Sequence, residues 1–253
     1  MYKIVLWDVD GTLLDFSAPE RVSIRRLFAE YGFGECTDEM LADYVKINRK
    51  YWSALERGEL TKPEILVYRF REFLEKYGLN AHVAVEFNAK YQSYLGDTIV
   101  FEEGGLEAVK ELKGKVIQCA ATNGTIEAQK KKLSKSGLDQ LFDYIFISDE
   151  IGIEKPGTGF FDKAWETLRD DGVEFGMKDV IIIGDSLTSD MQGGVNAGIA
   201  TCWFNPKGLE NTSVVGDEFY FVTLKSDNET AYVYNTNLFE YKDTVVTKKA
   251  GQL

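Results

Sequence analysis

The chain has 253 residues, enough for one large domain or for a domain that carries an insert. Its 44% hydrophobic and 28% charged residues describe a protein that folds in water, and it holds no run of about 18 apolar residues that could span a bilayer. With 41 acidic against 29 basic residues the formal charge is -12, which opposes binding to nucleic acid or to an anionic membrane.

A strand-like run at residues 3–7 begins almost at once, with no charged segment, apolar stretch and cleavage site ahead of it, so a cytoplasmic location is the expectation. Residues 17–95 then show helix signals and no convincing strand. Ser17 with Glu20, and Thr61 with Glu64, have capping-box spacing, each with a proline in the first turn, Pro19 and Pro63. Ile24, Leu27, Phe28 and Tyr31 share one helical face, as do Leu41, Tyr44, Val45, Asn48, Trp52 and Leu55, and later Phe87, Asn88, Tyr91 and Leu95. Four packed helices account for these stripes, with the aromatics as their core. The single histidine, His82, falls at a helix start and reads as a surface residue, which removes histidine-based triads and multi-histidine metal sites from consideration.

Beyond the helical stretch, apolar runs at 116–121, 144–148, 180–183 and 200–204 alternate with helical patterns at 106–112, 126–136, 160–168 and 187–197. Runs apolar almost throughout suit parallel strands covered on both faces, and the βα alternation is that of a doubly wound α/β domain. The expected division is therefore an α/β core of residues 1–16 and 97–253 with an inserted all-helical domain at 17–96. Cys36, Cys119 and Cys202 are odd in number and widely spaced, and read as reduced core thiols. The segment 209–230 holds one apolar run, 219–224, without a clear assignment; residues 232–234 suit a last edge strand, and 248–253 read as a frayed tail.

The first strand runs into Asp8-Val9-Asp10-Gly11-Thr12, two acids at i and i+2 where a buried strand opens into a loop. Ligands of doubly wound sheets bind at such carboxyl ends. Three later strands end in Thr122-Asn123-Gly124, in Lys155-Pro156 shortly beyond the third, and in Gly184-Asp185 followed by Asp190. Singly these could be a helix cap, a solvated lysine and a turn former. Jointly they converge on one crevice.

Asp8-x-Asp10-Gly-Thr12-Leu, Thr122-Asn123-Gly, Glu154-Lys155-Pro156 and Gly184-Asp185-Ser-x4-Asp190 resemble the four motifs of haloacid dehalogenase (HAD) superfamily hydrolases. The likeness spans residues 1 to about 205, and the helical insert resembles the C1 cap of that superfamily. A weaker likeness, through Asn48, Trp52 and Ala200-Thr-Cys-Trp-Phe-Asn205, points to the pyrimidine 5′-nucleotidase subgroup. Trp7 departs from the commoner phenylalanine before the first Asp.

The resemblance implies a Rossmann-like core and a Mg²⁺-dependent phosphatase. Asp8 would be the nucleophile and Asp10 the general acid and base. The Asp8 and Asp185 carboxylates and the Asp10 carbonyl would hold Mg²⁺, with Asp190 behind them. Thr122, Asn123 and Lys155 would bind the phosphoryl oxygens. Two carboxylates facing a phosphate dianion repel it by several kcal/mol, at ~4 kcal/mol per unit pair 4 Å apart in an effective dielectric of 20, so a divalent cation is needed. The expected substrate is a nucleoside 5′-monophosphate, with a sugar-phosphate phosphatase or phosphomutase as the alternative. Selection would come from the insert, through Asn48, Trp52 and Arg69. A phosphoacceptor receiver domain shares the residue types, but it carries its acceptor on a later strand and has no insert after the first.

Overall fold

Ile4, Val5, Leu6 and Trp7 form strand β1 (Ile4–Trp7), and all four are buried, as a strand covered on both faces must be. It is the centre of a parallel sheet with β2 (Ile117–Thr122), β3 (Tyr144–Ile147), β4 (Val180–Gly184), β5 (Ala200–Phe204) and β6 (Tyr220–Val222), in the order β3-β2-β1-β4-β5-β6. Ile4 lies opposite Ile117 on one side and Val180 on the other. The chain order reverses across β1 and β4, and that is where a doubly wound sheet opens a crevice at its carboxyl edge. The computed structural model describes residues 2–206, Gly208 and, by backbone, Tyr220–Val222. The apolar run 219–224 thus contributes the strand beside β5. The expected edge strand at 232–234, the rest of 209–230 and the tail at 248–253 lie outside the described residues.

The helices are α1 (Ser17–Tyr31), α2 (Asp38–Glu56), α3 (Lys62–Lys76), α4 (Ala84–Leu95), α5 (Gly105–Leu112), α6 (Ile126–Ser136), α7 (Ser148–Ile151), α8 (Thr158–Asp170) and α9 (Gln192–Asn196). They belong to two compact units. One comprises Met1–Asp15, Phe101–Gly124 and the described residues from Ser136 onward; the other comprises Phe16–Val100 and Thr125–Lys135, so most of α6 groups with the inserted helices.

In the first unit Ile4, Leu6, Cys119, Ala121, Val180 and Ile182 pack against Phe160, Phe161, Ala164, Trp165 and Leu168 of α8, the doubly wound α/β arrangement expected. Trp7 brings an indole N–H into this buried sheet, and the sheet answers it. Gln118 on β2, fully buried, accepts from Trp7 Nε1 at 3.0 Å and donates from Nε2 to the Val109 carbonyl at 2.9 Å. A buried donor without such a partner costs about 1–3 kcal/mol.

In the helical unit Phe28, Tyr44, Phe70, Phe73, Phe87 and Tyr91 form the core, with neighbouring rings such as Phe70 and Tyr91 4.9 Å apart and edge-on. Ala128 of α6 joins it. The Thr61–Glu64 capping box is present, the Glu64 carboxylate accepting from the Thr61 N–H at 2.8 Å. The Ser17–Glu20 box is not. Phe16 is the N-cap of α1, without a side-chain cap bond, and Glu20 is buried, accepting from Asn48 Nδ2 at 3.2 Å and Tyr91 Oη at 3.4 Å. His82 is exposed in a short turn before α4, and the three cysteines are buried thiols outside any disulfide. Among the described residues no helix is long and apolar enough to cross a membrane.

Candidate active site

The site grows from the carboxyl ends of four strands. The Asp8 N–H still bonds the Ile183 carbonyl at 2.9 Å, so Asp8 is anchored in the β1–β4 ladder before the chain turns. The turn is tight: Leu13 and Leu14 N–H groups bond the Val9 carbonyl, and the Gly11 N–H bonds the Leu14 carbonyl. Gly11 has φ +91°, and a Cβ there would stand 2.6 Å from Asp185 Oδ2, so only glycine fits both the backbone and the neighbour. The Thr12 hydroxyl returns to donate to Asp8 Oδ2 at 3.1 Å.

Lys155 reaches the same carboxylate from the loop after β3. It is fully buried, and its Nζ donates to Asp8 Oδ1 at 3.0 Å, to Asp190 Oδ1 at 2.5 Å and to the Ala121 carbonyl. The Asn123 side chain fixes the backbone that carries it, accepting from the Lys155 N–H at 2.9 Å and donating to the Lys155 carbonyl at 2.8 Å. The Lys155–Pro156 peptide is cis. Asn123 Nδ2 also donates to Ser189 Oγ at 3.2 Å, joining the loops after β2, β3 and β4. The Thr122 hydroxyl, buried at the end of β2, accepts from the Gly124 N–H at 3.2 Å.

After β4 the chain makes a π-helical turn, Leu187–Met191, before α9, where the sequence pattern predicts one continuous helix at 187–197. Both the Asp190 and the Met191 N–H bond the Ser186 carbonyl at 3.1 Å, and that widened turn carries Asp190 inward. Asp190 Oδ2 accepts from the Ser186 N–H at 3.1 Å, which leaves Oδ1 for Lys155. A Cβ on Gly184 would meet Asp190 at 2.3 Å, so the residue before Asp185 must be glycine for the turn to close.

Asp8, Asp185 and Asp190 can place carboxylate oxygens within 4.8 Å of one another, and the Lys155 ammonium pairs with Asp8 and Asp190. Burial raises the Asp8 carboxyl from 3.8 to about 7 against the pull of Lys155, and the Asp190 and Asp10 charges push the same way. Asp185 moves in the same direction through the protein packed around it and then the Asp8 and Asp190 charges. Its side is exposed, so the like charges are the firmer cause. Burial by itself works against a charged Lys155, yet Asp190 and Asp8 outweigh it and hold the ammonium above the usual lysine range. An all-oxygen set with excess negative charge fits a hard divalent cation such as Mg²⁺ and suits neither a soft nor a nitrogen-seeking metal.

Asp8, Asp10, Thr122, Asn123, Lys155, Asp185 and Asp190 are thus gathered at one sheet edge, with Asp10 half-buried in the turn after β1. Asn48, Trp52 and Arg69 are in the helical unit. Arg69 is 1% exposed, its Nη1 donates to Asn48 Oδ1 at 2.6 Å and its Nη2 to Asn88 Oδ1 at 3.2 Å. Gln92 also donates to Asn88 Oδ1, at 3.1 Å. Trp52 lies one turn beyond Asn48 on α2, half-buried.

Ser186, Ser189 and Trp203 belong to the site's framework but carry no signal of their own in the sequence. The two serines read as spacers inside Gly184-Asp185-Ser-x4-Asp190, and Trp203 stands in the strand run 200–204 and in the Ala200–Asn205 likeness, neither of which gives it a role at the site. In the structure Trp203 Nε1 donates to the Asp185 carbonyl at 2.8 Å.

Comparison with known proteins agrees with this geometry. A model of haloacid dehalogenase-like hydrolases matches residues 5–204. The HAD-hydrolase YfnB of Bacillus subtilis is 36% identical over 205 residues, covering 81% of this chain and 85% of that protein. Its crystal structure, bound to magnesium and reported to reveal interdomain movement, superposes with a TM-score of 0.80 at 34% identity over 87% of this chain and 94% of that one. The pyrimidine 5′-nucleotidase PynA of Streptococcus pneumoniae is 36% identical over 83% of this chain and 86% of its own. The pyrimidine 5′-nucleotidase YjjG of Escherichia coli is 29% identical over 83% and 92%. A family match over most of the chain, on a sheet edge that assembles all four motifs, makes this protein a member of the haloacid dehalogenase-like hydrolases.

Proposed function

We propose that this hydrolase is a Mg²⁺-dependent phosphatase that cleaves nucleoside 5′-monophosphates, pyrimidine ones foremost, through an aspartyl-phosphate on Asp8. The observation that carries it is the Asp8 carboxylate, buried and gripped by Lys155 and Thr12 amid further carboxylates. Its class, a phosphoric monoester hydrolase, rests on the family match together with the nucleotidase relatives.

Asp8 attacks the phosphorus, and the bond to the leaving oxygen breaks as Asp10 gives that oxygen a proton. Asp10 then takes a proton from water, which attacks the phosphorus, restores the Asp8 carboxylate and releases inorganic phosphate. Lys155, the Thr122 hydroxyl and the Asn123 backbone N–H bind the phosphoryl oxygens while charge redistributes. The Asp8 and Asp185 carboxylates and the Asp10 carbonyl, with Asp190 behind them, would hold Mg²⁺, which would supply the positive charge that lets a phosphate dianion approach this acidic edge.

The core motifs address the phosphoryl group alone, so discrimination between leaving groups is assigned to the inserted helical residues 17–96 acting as a cap. Trp52 offers a stacking face, Asn48 an amide that both donates and accepts, and Arg69 a positive charge. Support for a pyrimidine nucleotide comes from PynA and YjjG. Kinetics on nucleoside monophosphates, hexose phosphates and p-nitrophenyl phosphate test it. Trp52→Ala should raise KM for a nucleotide more than for p-nitrophenyl phosphate, which has no base. Asn48→Ala is the less clean variant, because it also strips partners from Glu20 and Arg69. A hexose phosphate with the highest kcat/KM would replace the nucleotidase by a sugar phosphatase or phosphomutase.

A further inference from the structure

The β4–β5 ladder ends with Gly184 opposite Trp203, so Asp185 is the first residue of its strand beyond the sheet's own hydrogen bonds. Its carbonyl is nonetheless bonded, by the Trp203 indole N–H at 2.8 Å. Trp203 is 3% exposed, and its ring packs with Met191 and Leu187 of the π-helical turn. On the opposite side the Asp185 carboxylate lies against Gly11, where a Cβ would come within 2.6 Å of Oδ2. Asp185 is therefore held at both ends, its backbone by an indole and its carboxylate by a residue without a side chain. Packing alone does not require a tryptophan here, since a phenylalanine ring could also cover Met191 and Leu187. The N–H is what distinguishes it.

We infer that Trp203 is a positioning residue for the Asp185 carboxylate: its indole N–H fixes the turn after β4 and so presents that carboxylate to the cation shared with Asp8. The inference rests on the reading of Asp185 as a metal ligand given above. Exposed as it is, Asp185 has solvent to turn into, and the carbonyl bond removes that freedom from its backbone before a metal arrives. Partners that orient metal ligands in this way are worth roughly 10–100-fold in metal affinity when removed.

The test is Trp203→Phe, with Mg²⁺ affinity measured on substrate-free protein by calorimetry and by the rise in Tm with Mg²⁺. The variant should bind Mg²⁺ about 10-fold more weakly. Its p-nitrophenyl phosphate hydrolysis should recover at high Mg²⁺, a shift in metal dependence that a purely structural role would not produce. Mg²⁺ affinity within twofold of wild type overturns the inference, even if the metal-free Tm has fallen. The wild-type control separates the two levels of argument. If the wild type hydrolyses the ester without Mg²⁺, the reading of the site fails and the inference falls with it; if the wild type needs Mg²⁺ and the variant titrates identically, only the inference falls. Should the variant not fold, the wild-type protein carries the test through its four tryptophans. The Trp203 indole N–H resonance, assigned by elimination with Phe variants of Trp7, Trp52 and Trp165, must shift on Mg²⁺ addition, and a resonance unmoved at saturation overturns the inference.

Discussion

Each unit of this protein buries charge, and the two do so in opposite ways. In the helical unit Glu20 and Arg69 are buried with Asn48 between them, one acid and one base joined by an amide that donates to the first and accepts from the second. Asn88 and Gln92 extend the chain with neutral amides. At the sheet edge Asp8, Asp185 and Asp190 cluster, Lys155 pairs with Asp8 and Asp190, and the acids outnumber the base. The first arrangement sets one acid against one base and ties α1, α2, α3 and α4 together, with Arg69 Nε left without a hydrogen-bond partner. The second carries more acid than base, and burial, joined by the Asp190 and Asp10 charges, pushes the Asp8 carboxyl up to about 7. A balanced buried network is a structural device; an unbalanced one is poised for a cation and a reactant.

The most severe break of this contrast is Asp8→Asn. An amide is a poor nucleophile, so kcat should fall at least ~10³-fold. Removing a negative charge from an overcrowded cluster should leave metal-free stability equal to wild type or higher. Steady-state kinetics and urea unfolding on the same preparation check both halves, and more than a few per cent residual kcat would sink the nucleophile assignment.

Proton linkage sharpens the contrast further. The folded-state value of Asp8 lies above its unfolded value of 3.8, so between that and about 7 the native state binds the proton more tightly. Stability of the metal-free protein is then highest at the acid end of this window and declines as pH rises through about 7. Asp185 has the same sign. The expected outcome is a Tm, measured in EDTA, that drops by at least a few degrees between pH 5.5 and 8, and a Mg²⁺-induced rise in Tm that is larger at pH 8. Asp8→Asn should flatten both profiles, and a metal-free Tm that climbs over this range would contradict the electrostatic account.

Asn48→Leu probes the other side. It removes the amide shared by the Glu20 carboxylate and the Arg69 guanidinium, leaving Glu20 with Tyr91 and Arg69 with Asn88 in a buried setting, which should cost about 2–4 kcal/mol in urea unfolding. A loss under 0.5 kcal/mol would show that the network does not hold the helices together.

What the sequence made legible follows the same divide. Strands buried on both faces must be apolar throughout, and acids and a lysine at their carboxyl ends cannot be explained by a core, so β1 to β5 and the four motifs stand out from residue types alone. Features that depend on which strand lies beside which do not. Trp203 reaches the Asp185 carbonyl only because β5 pairs with β4 with Gly184 opposite Trp203, and Ser189 meets Asn123 only because the turn at Leu187–Met191 is π-helical. The Ser17–Glu20 spacing misleads for a related reason: local pattern suggests a cap, while tertiary packing offers Glu20 the buried partners Asn48 and Tyr91. Thr61–Glu64, with Glu64 solvent-facing and without rival partners, caps as the pattern says.

The smallest effect tests whether the sheet also contains a self-contained polar pair. Trp7, in the strand that delivers Asp8, has its indole N–H satisfied by Gln118, whose own amide is spent on the Val109 carbonyl. Gln118→Leu orphans a donor and an acceptor together, each worth about 1–3 kcal/mol when buried, while the added apolar volume returns part of that, so a net loss of about 1–2 kcal/mol is expected. Trp7→Phe alone removes the indole donor and leaves the Gln118 oxygen unpaired. The double variant removes both members of the Trp7–Gln118 bond and should lose less than the two single losses added together, by about 1 kcal/mol. Urea unfolding of the four proteins supplies the cycle. Strict additivity would mean that the pair is incidental and that the tryptophan before Asp8 is tolerated for its size alone; a favourable coupling would show that the sheet, like the helical unit, holds its elements together through buried polar groups that answer one another.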